Sequence, residues 1–305
     1  MDEVKMTGCQ DRVVIVTGAA RGIGRAHALA FAAAGARVVV NDLGVASDGK
    51  TPDEAPALEV VAAIEAAGGE AIANFQDVAD WQSSQKLIQA AIDRWGHLDV
   101  LVNNAGFVRD RMFVSTSEEE WDAVVRVHLR GHFCTARHAA AYWRSESKAG
   151  RTRSARIINT SSGAGLQGSV GQSSYSAAKA AIASLTQVQA AELARYGVTA
   201  NAIAPVARTR MTEGLFGDMM AIPKEGFDEM APDNVSPLVV WLGTLDSAAV
   251  TGRVFEVSGG KISIFDGWRP TSTVDVGRRW SVDELGEHIA GLIDEAIDPL
   301  PVYGA

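Results

Sequence analysis

The chain has 305 residues, 47% of them apolar, which supplies a large core and excludes intrinsic disorder over most of its length. Its 28 basic and 37 acidic residues leave a net charge of −9, which argues against nucleic acid or an anionic membrane as the main partner, because phosphate neutralisation needs clustered Lys and Arg. Cys9 and Cys134 give neither a disulfide framework nor zinc spacing, the start MDEVKMTGCQDR has no apolar signal core, and no apolar run approaches the ~18 residues of a membrane span, so a soluble cytoplasmic protein without a metal site is expected.

Along the chain the apolar segments alternate between two periods. Val13 to Val16 is a β-branched run without polar alternation, as in a strand buried on both faces. It enters Thr17-Gly18-Ala19-Ala20-Arg21-Gly22-Ile23-Gly24 and then a helical pattern from Gly22 to Ala34. Glycines at 18, 22 and 24 permit φ > 0 and let backbone approach a pyrophosphate at a helix N-terminus. The spacing is TGxxxGxG, not GxGxxG, but its place at the first strand-to-helix turn is where a dinucleotide binds.

The second strand, Val38 to Val40, ends at Asn41-Asp42. A carboxylate there can accept both ribose hydroxyls of an adenosine while repelling a 2′-phosphate, which favours NAD over NADP. Arg21 and Arg37 are near in sequence and keep NADP open. A polar loop, Gly44 to Pro56, precedes a helix from Ala57 to Ala67. Asp77-Val78, after the third strand, could bond adenine, or Asp77 could cap the helix Gln82 to Trp95. Val100 to Val102 is the fourth strand, and one long helix is expected from Glu118 to Trp143. The basic run Arg144, Lys148, Arg151, Arg153 and Arg156 reads as a solvated loop before the fifth strand, Ile157-Ile158, at the sheet end opposite the cofactor crevice. A helix from Ser174 to Tyr196 and strands near Val198 to Ile203 and Val254 to Val257 follow.

Between those strands Arg208 to Pro232 has no clean period, as in a mobile lid, and Met211, Leu215, Phe216, Met219, Met220 and Phe227 would suit an apolar ligand. From about Asp266 the strand pattern stops; Ser281 to Glu284 is a capping box before a helix ending near Ile297. Repeated strand–helix–strand units imply parallel pairing through right-handed crossovers. The expected fold is α/β: a doubly wound Rossmann-type parallel sheet over 1–265, then a C-terminal extension, 266–305, with one helix.

Tyr175 and Lys179 stand four apart, so they share a helix face. Tyrosine, with a reference pKa of about 10, is a poor base at neutral pH unless a neighbouring ammonium stabilises its phenolate. Together they form a candidate base for taking a proton from an alcohol.

These residues reach a family. The chain resembles the short-chain dehydrogenases/reductases over nearly all of residues 10 to 260. It carries Thr17 to Gly24, Asn103-Asn104-Ala105-Gly106, Ser162 thirteen residues before Tyr175, Tyr175-Ser-Ala-Ala-Lys179 and Asn201-Ala-Ile-Ala-Pro205. The resemblance implies that Ser162 bonds the substrate oxygen, Tyr175 exchanges the proton, and Lys179 holds the nicotinamide ribose and lowers the tyrosine pKa. It implies cofactor contacts at Gly18, Arg21, Gly22, Ile23, Gly24, Asp42, Asp77, Val78, Asn104, Ala105, Gly106, Pro205, Val206 and Thr209, with Ile203 beside the carboxamide. His128 replaces the asparagine most members carry, whose backbone carbonyl anchors a water in a proton relay; a backbone role survives that substitution.

Val39 to Gly44, Val127 to Gly131, Arg109-Asp110-Arg111 and Pro237 to Leu242 together resemble the (3R)-hydroxyacyl-CoA dehydrogenase part of multifunctional enzyme type 2 and its bacterial relatives. The tail past Gly260 is similar less closely. That resemblance implies NAD⁺-dependent oxidation of a (3R)-3-hydroxyacyl-CoA in fatty-acid or sterol side-chain degradation, by a stand-alone dehydrogenase forming a homodimer or homotetramer. Arg109, Arg111, Arg208, Arg210 and Lys224 are candidates for the coenzyme A phosphates. A 17β-type hydroxysteroid dehydrogenase is the alternative substrate reading, and a nucleotide sensor without catalysis is the alternative class, disfavoured because Tyr175 and Lys179 are both present.

Overall fold

The structure is a computed structural model that describes residues 8–44, 53–208, 221–270 and 272–304. Thr209, Arg210, Met211, Leu215, Phe216, Met219 and Met220 lie outside the described residues.

The first half contains β1 (Val13–Thr17), α1 (Gly22–Ala33), β2 (Arg37–Asn41), α2 (Ala55–Ala66), β3 (Glu70–Asn74), α3 (Trp81–Trp95) and β4 (Val100–Asn103). Next come α4 (Glu118–Val125), a π turn (Arg126–Arg130), α5 (Gly131–Lys148), β5 (Ala155–Thr160), α6 (Gly163–Gln167) and α7 (Ser173–Leu193). The chain ends with β6 (Val198–Val206), α8 (Ser236–Gly243), β7 (Val254–Ser258), β8 (Lys261–Phe265) and α9 (Leu285–Glu295). One sheet runs β3-β2-β1-β4-β5-β6-β7-β8. The pairings from β3 through β7 are parallel, and β8 returns antiparallel to β7. Strand order reverses between β1 and β4, which opens a crevice at the carboxyl ends of the strands.

Period-two alternation divides the core. Val14, Val16, Val38, Val40 and Val102 face α1, α2 and α8, where they meet Phe31, Val60, Ile64 and Val239. Val13, Ile15, Val39, Leu101 and Ile157 face the other way, against Leu87 and Ile88 of α3 and Trp143 of α5. Both faces are therefore dry, and that is why the strands read as unbroken apolar runs.

Two expectations change and a third is met. The Glu118–Trp143 helix is interrupted by the π turn, which lies under the candidate site. Strand β8 was not expected; it is an edge strand whose Ile262 and Ile264 point into solvent. The capping box at Ser281 and Glu284 is present, and its helix ends at Glu295.

The basic run is not a uniformly solvated loop. Arg151 is exposed and pairs with Glu146. Arg156 is only 1% exposed, because its place in β5 puts it inside the sheet opposite Val100. Its guanidinium donates to Thr244 O at 3.0 Å, Ser247 Oγ at 3.1 Å and Leu245 O at 3.3 Å, tying the end of α8 to the sheet. Burial lowers its pKa to about 10, still fully charged at neutral pH. Arg156→Met strands these buried acceptors, so it is expected to cost about 2–4 kcal/mol of unfolding free energy. Chemical denaturation measures this; an unchanged midpoint would show that the acceptors find other donors.

Candidate active site

The turn after β1 is shaped by close backbone approach. Gly18 has φ +63°, and a Cβ on it would meet Ala105 Cα at 2.8 Å. A Cβ on Gly24 would lie 2.1 Å from Gly18 O and 2.5 Å from Asn104 Nδ2. Asn104 staples this turn to β4: its Nδ2 donates to Thr17 O at 2.9 Å and Gly18 O at 3.2 Å. The Thr17 hydroxyl accepts from the Asn104 and Ala105 amides at 2.9 and 3.1 Å. At the start of α1, Arg21 provides no side-chain cap and the first turn holds no acidic residue. Its amides, around Gly22 and Ile23, are left to bind an anion.

On the adenosine side, Asp42 Oδ2 accepts from Ala20 N and Oδ1 from Gly44 N, both at 3.2 Å. Arg21 pairs with Asp53. Arg37 opens β2 at the opposite end of that strand from Asp42 and pairs with Asp11 and Glu70. It is not available to a 2′-phosphate as its sequence position suggested. Asp77 is not the cap of α3 either. Asp80 accepts from Ser83 N at 2.7 Å in that role, while Asp77 bonds Ala79 N and pairs with Arg126 at 2.6 Å. Val78 is buried against Gly131. Pro205 and Val206 end β6 at the same carboxyl edge.

Tyr175 and Lys179 lie in the first turns of α7, facing the end of β5. Lys179 is 2% exposed, and its Nζ donates to Thr160 O at 2.6 Å and lies 5.5 Å from the Tyr175 ring centre. Burial lowers its pKa to about 7. The hydroxyl of Ser162 bonds Tyr175 and also caps α6 by accepting from Ala164 N at 3.2 Å. Ser161 instead turns inward and donates to Lys179 O at 2.8 Å. Tyr175 departs from expectation: burial raises its pKa, and the bond from Ser162 only partly opposes this. The ammonium expected to lower it is itself desolvated and bound to a carbonyl.

His128 occupies the π turn, fully buried, with its ring edge-on to Tyr175 at 5.2 Å. Its Nε2 lies 2.6 Å from Phe107 O and 3.1 Å from Phe107 N, while Nδ1 has no partner among the described residues. A Cβ on Gly106 would come within 2.1 Å of this ring. His132, one turn on, lies 3.4 Å from Thr160 N. Burial first, then the Lys179 charge, keeps both histidines neutral, His132 with a pKa of about 3.

A crevice with an anion-binding helix end on one side and a Ser–Tyr–Lys cluster on the other is the arrangement of a nucleotide-dependent redox enzyme. The profile of the short chain dehydrogenase family matches residues 12–219. The chain belongs to the short-chain dehydrogenase family. It is 44% identical over 279 residues to hydroxyacyl-CoA dehydrogenase ChsB1 of Mycobacterium tuberculosis, covering 91% of this chain and 84% of that protein. It is 43% identical over 251 residues to peroxisomal multifunctional enzyme type 2 of Mus musculus, covering 82% of this chain but 32% of that longer protein. A crystal structure of a short chain dehydrogenase from Mycobacterium avium matches with a TM-score of 0.89 at 63% identity, covering 98% of this chain and 100% of that one.

This short-chain dehydrogenase is therefore an oxidoreductase that takes a nicotinamide nucleotide, NAD(H) or NADP(H). Among the described residues no helix is long and apolar enough to cross a membrane, and no cluster of metal-ligating side chains occurs. Of the expected phosphate ligands, Arg208 pairs with Asp228 and Arg111 with Glu120, while Arg109 stacks on Phe107 and Lys224 is exposed. The sequence reading missed Thr17, Thr160 and His132. His132 carried a signal, its four-residue spacing from His128; Thr160 acts through its backbone and carried none.

Two outcomes follow for the dehydrogenase. Gly24→Ala, driving a methyl into Gly18 O, is expected to weaken dinucleotide binding about 100-fold, read by quenching of NADH fluorescence on titration. His27 is also buried, with a pKa of about 3 like His132. Unfolded histidine binds a proton near pH 6.5, so between about pH 6.5 and 3 the unfolded chain takes up more protons. Stability is thus complete above 6.5 and falls as the pH drops, by up to about 1.4 kcal/mol per unit for each histidine. Urea unfolding at pH 7 and pH 5 tests the sign; equal or greater stability at pH 5 would contradict it.

Proposed function

We propose that this dehydrogenase oxidises a (3R)-3-hydroxyacyl-CoA to the 3-oxoacyl-CoA with NAD⁺. The observation that carries the reading is the meeting of Ser162, Tyr175 and Lys179 at the carboxyl end of β5, across the switch-point crevice from the glycine turn. The acyl-CoA specificity draws support from the names of the mycobacterial and mouse relatives. NAD over NADP draws support from the Asp42 carboxylate at the end of β2 and from Arg21 and Arg37 being held in ion pairs.

The dinucleotide, when bound, supplies the hydride acceptor. The chain supplies binding and proton chemistry. Amides at the start of α1 would hold the pyrophosphate, Asp42 the adenosine ribose, and Lys179 the nicotinamide ribose. Ser162 Oγ would bond the 3-oxygen and hold the carbinol C–H toward the crevice. Tyr175 Oη would take the hydroxyl proton as the C–H bond breaks, and the carbonyl forms from the oxygen's electron pair. Because burial pushes the Tyr175 pKa up and that of Lys179 down to about 7, this site needs a further charge or added hydrogen bonds to make the phenolate. When bound, the dinucleotide would supply both, through its ribose hydroxyls and the positive charge of its nicotinamide ring.

Absorbance of reduced nicotinamide, with NAD⁺ or NADP⁺ and a panel of (3R)- and (3S)-3-hydroxyacyl-CoAs and 17β-hydroxysteroids, tests this. Turnover confined to the (3R)-thioesters with NAD⁺ is expected, with Tyr175→Phe lowering kcat by at least about 10³-fold while NADH affinity is kept. Activity on free steroids and not on thioesters would reject the proposed substrate. A Tyr175→Phe enzyme with near-normal kcat would reject the proposed base.

A further inference from the structure

The C-terminal extension comes back to the candidate site in the same chain. Tyr303 forms a parallel β-bridge with Ser169, in the connection between α6 and α7. Val170 N–H donates to Tyr303 O at 2.9 Å, and Tyr303 N–H donates to Gly168 O at 3.2 Å. Val302 lies against Gly168 and Gly304 against Val170. The same connection is pinned by Arg111, which bridges to Gln172 and donates to Gly171 O at 2.8 Å. A short segment is thus held in register by backbone bonds between the end of α6 and the start of α7.

Its aromatic ring lies over Gly163, the residue after Ser162. A Cβ at Gly163 would come within 2.6 Å of Tyr303 Oη and 2.9 Å of its Cε2. Tyr303 is 37% exposed, so one side faces open space. Its hydroxyl has no hydrogen-bond partner among the described residues. A phenol held against the residue that follows Ser162 is a fixed, uncommitted donor. Desolvation raises its pKa, so it keeps its proton across the neutral range.

This geometry meets a feature of the substrate proposed above. In a 3-hydroxyacyl thioester a single methylene separates the carbinol carbon from the thioester carbonyl, so the two oxygens lie roughly 3–4.5 Å apart by covalent geometry. With the 3-oxygen on Ser162 and Tyr175, the carbonyl oxygen falls within reach of a group standing just beyond Ser162.

We infer that Tyr303 is a specificity-determining residue whose hydroxyl donates to the thioester carbonyl of the bound substrate, selecting 3-hydroxyacyl thioesters over secondary alcohols that lack this carbonyl. The inference rests on the proposed function, since it assigns a partner to an acyl-CoA in that same site.

The test uses the full chain with Tyr303→Phe, which keeps the ring over Gly163 and the backbone bonds. Two ligands are compared: a (3R)-3-hydroxyacyl-CoA and its S-(3-hydroxyalkyl)-CoA thioether, which has CH₂ in place of the carbonyl, read as substrate or as competitive inhibitor. The wild type is expected to favour the thioester. Tyr303→Phe is expected to raise KM for the thioester about 10-fold, the worth of one neutral hydrogen bond, with kcat within about twofold and thioether affinity and NADH binding unchanged. An unchanged thioester preference, or an equal loss on both ligands, would overturn the assignment. If the wild type turns over no 3-hydroxyacyl-CoA while still binding NADH, the proposed function itself fails and the role of Tyr303 falls with it.

Discussion

The ammonium of Lys179 has to be buried and hydrogen-bonded at once, and the site is arranged around how that is met. Its Nζ takes the last carbonyl of β5, Thr160 O, at 2.6 Å, while Ser161 Oγ reaches back to Lys179 O at 2.8 Å. Two bonds of opposite sense therefore clamp the first turns of α7 onto the end of one strand. Once they form, Tyr175 lies one turn earlier on the same face, and Ser162, two residues beyond Thr160, lies beside its hydroxyl. The cost is desolvation, which brings the lysine pKa to about 7 and makes its charge responsive to whatever binds next to it.

Polar groups inside a sheet dry on both faces need complete partners. Asn103 Nδ2 donates to Asn159 Oδ1 at 3.0 Å, and Asn159 Nδ2 donates to Thr186 Oγ1 and Gln189 Oε1 on α7 at 2.9 and 2.8 Å. Thr135 on α5 donates to Asn103 Oδ1 at 2.7 Å. This network joins β4, β5, α5 and α7 behind the candidate site, and the Thr17–Asn104 staple does the same for the glycine turn. At the amino end of the sheet Arg156, Arg12 and Asp99 supply the equivalent ties, with Asp99 accepting from Val13 N at 2.9 Å and Arg12 donating to Ser154 O at 2.8 Å. The apolar layers hold the sheet together, and these networks fix the register of its two ends.

Much of this was legible in the chain. Val13–Val16, Val38–Val40 and Val100–Val102 announced strands because a twice-buried strand admits little else. Glycine, tyrosine and lysine at fixed offsets named the site because each is needed for a backbone or charge reason that spacing alone conveys. Other features left weak signals. β3, Glu70–Asn74, has one β-branched residue, and β8 is an edge strand with one wet face, so neither has the apolar run of a central strand. The π turn is one extra residue in a continuous helical pattern, too small a slip for periodicity to register. Arg37 was misplaced because nearness in sequence was read as nearness to the ligand, whereas a strand carries its two ends far apart.

By itself the sequence determined the class of fold and singled out a candidate dinucleotide turn and candidate proton-transfer residues, because these rest on local periodicity and on fixed spacings along one helix or turn. Only the tertiary structure decided which arginines are spent on ion pairs, that Arg156 is an internal tie, that burial raises the Tyr175 pKa, and that Tyr303 stands over Gly163. Each of these depends on groups far apart in the chain, and burial and charge pairing are fixed by the neighbours that folding brings together, which no local pattern encodes.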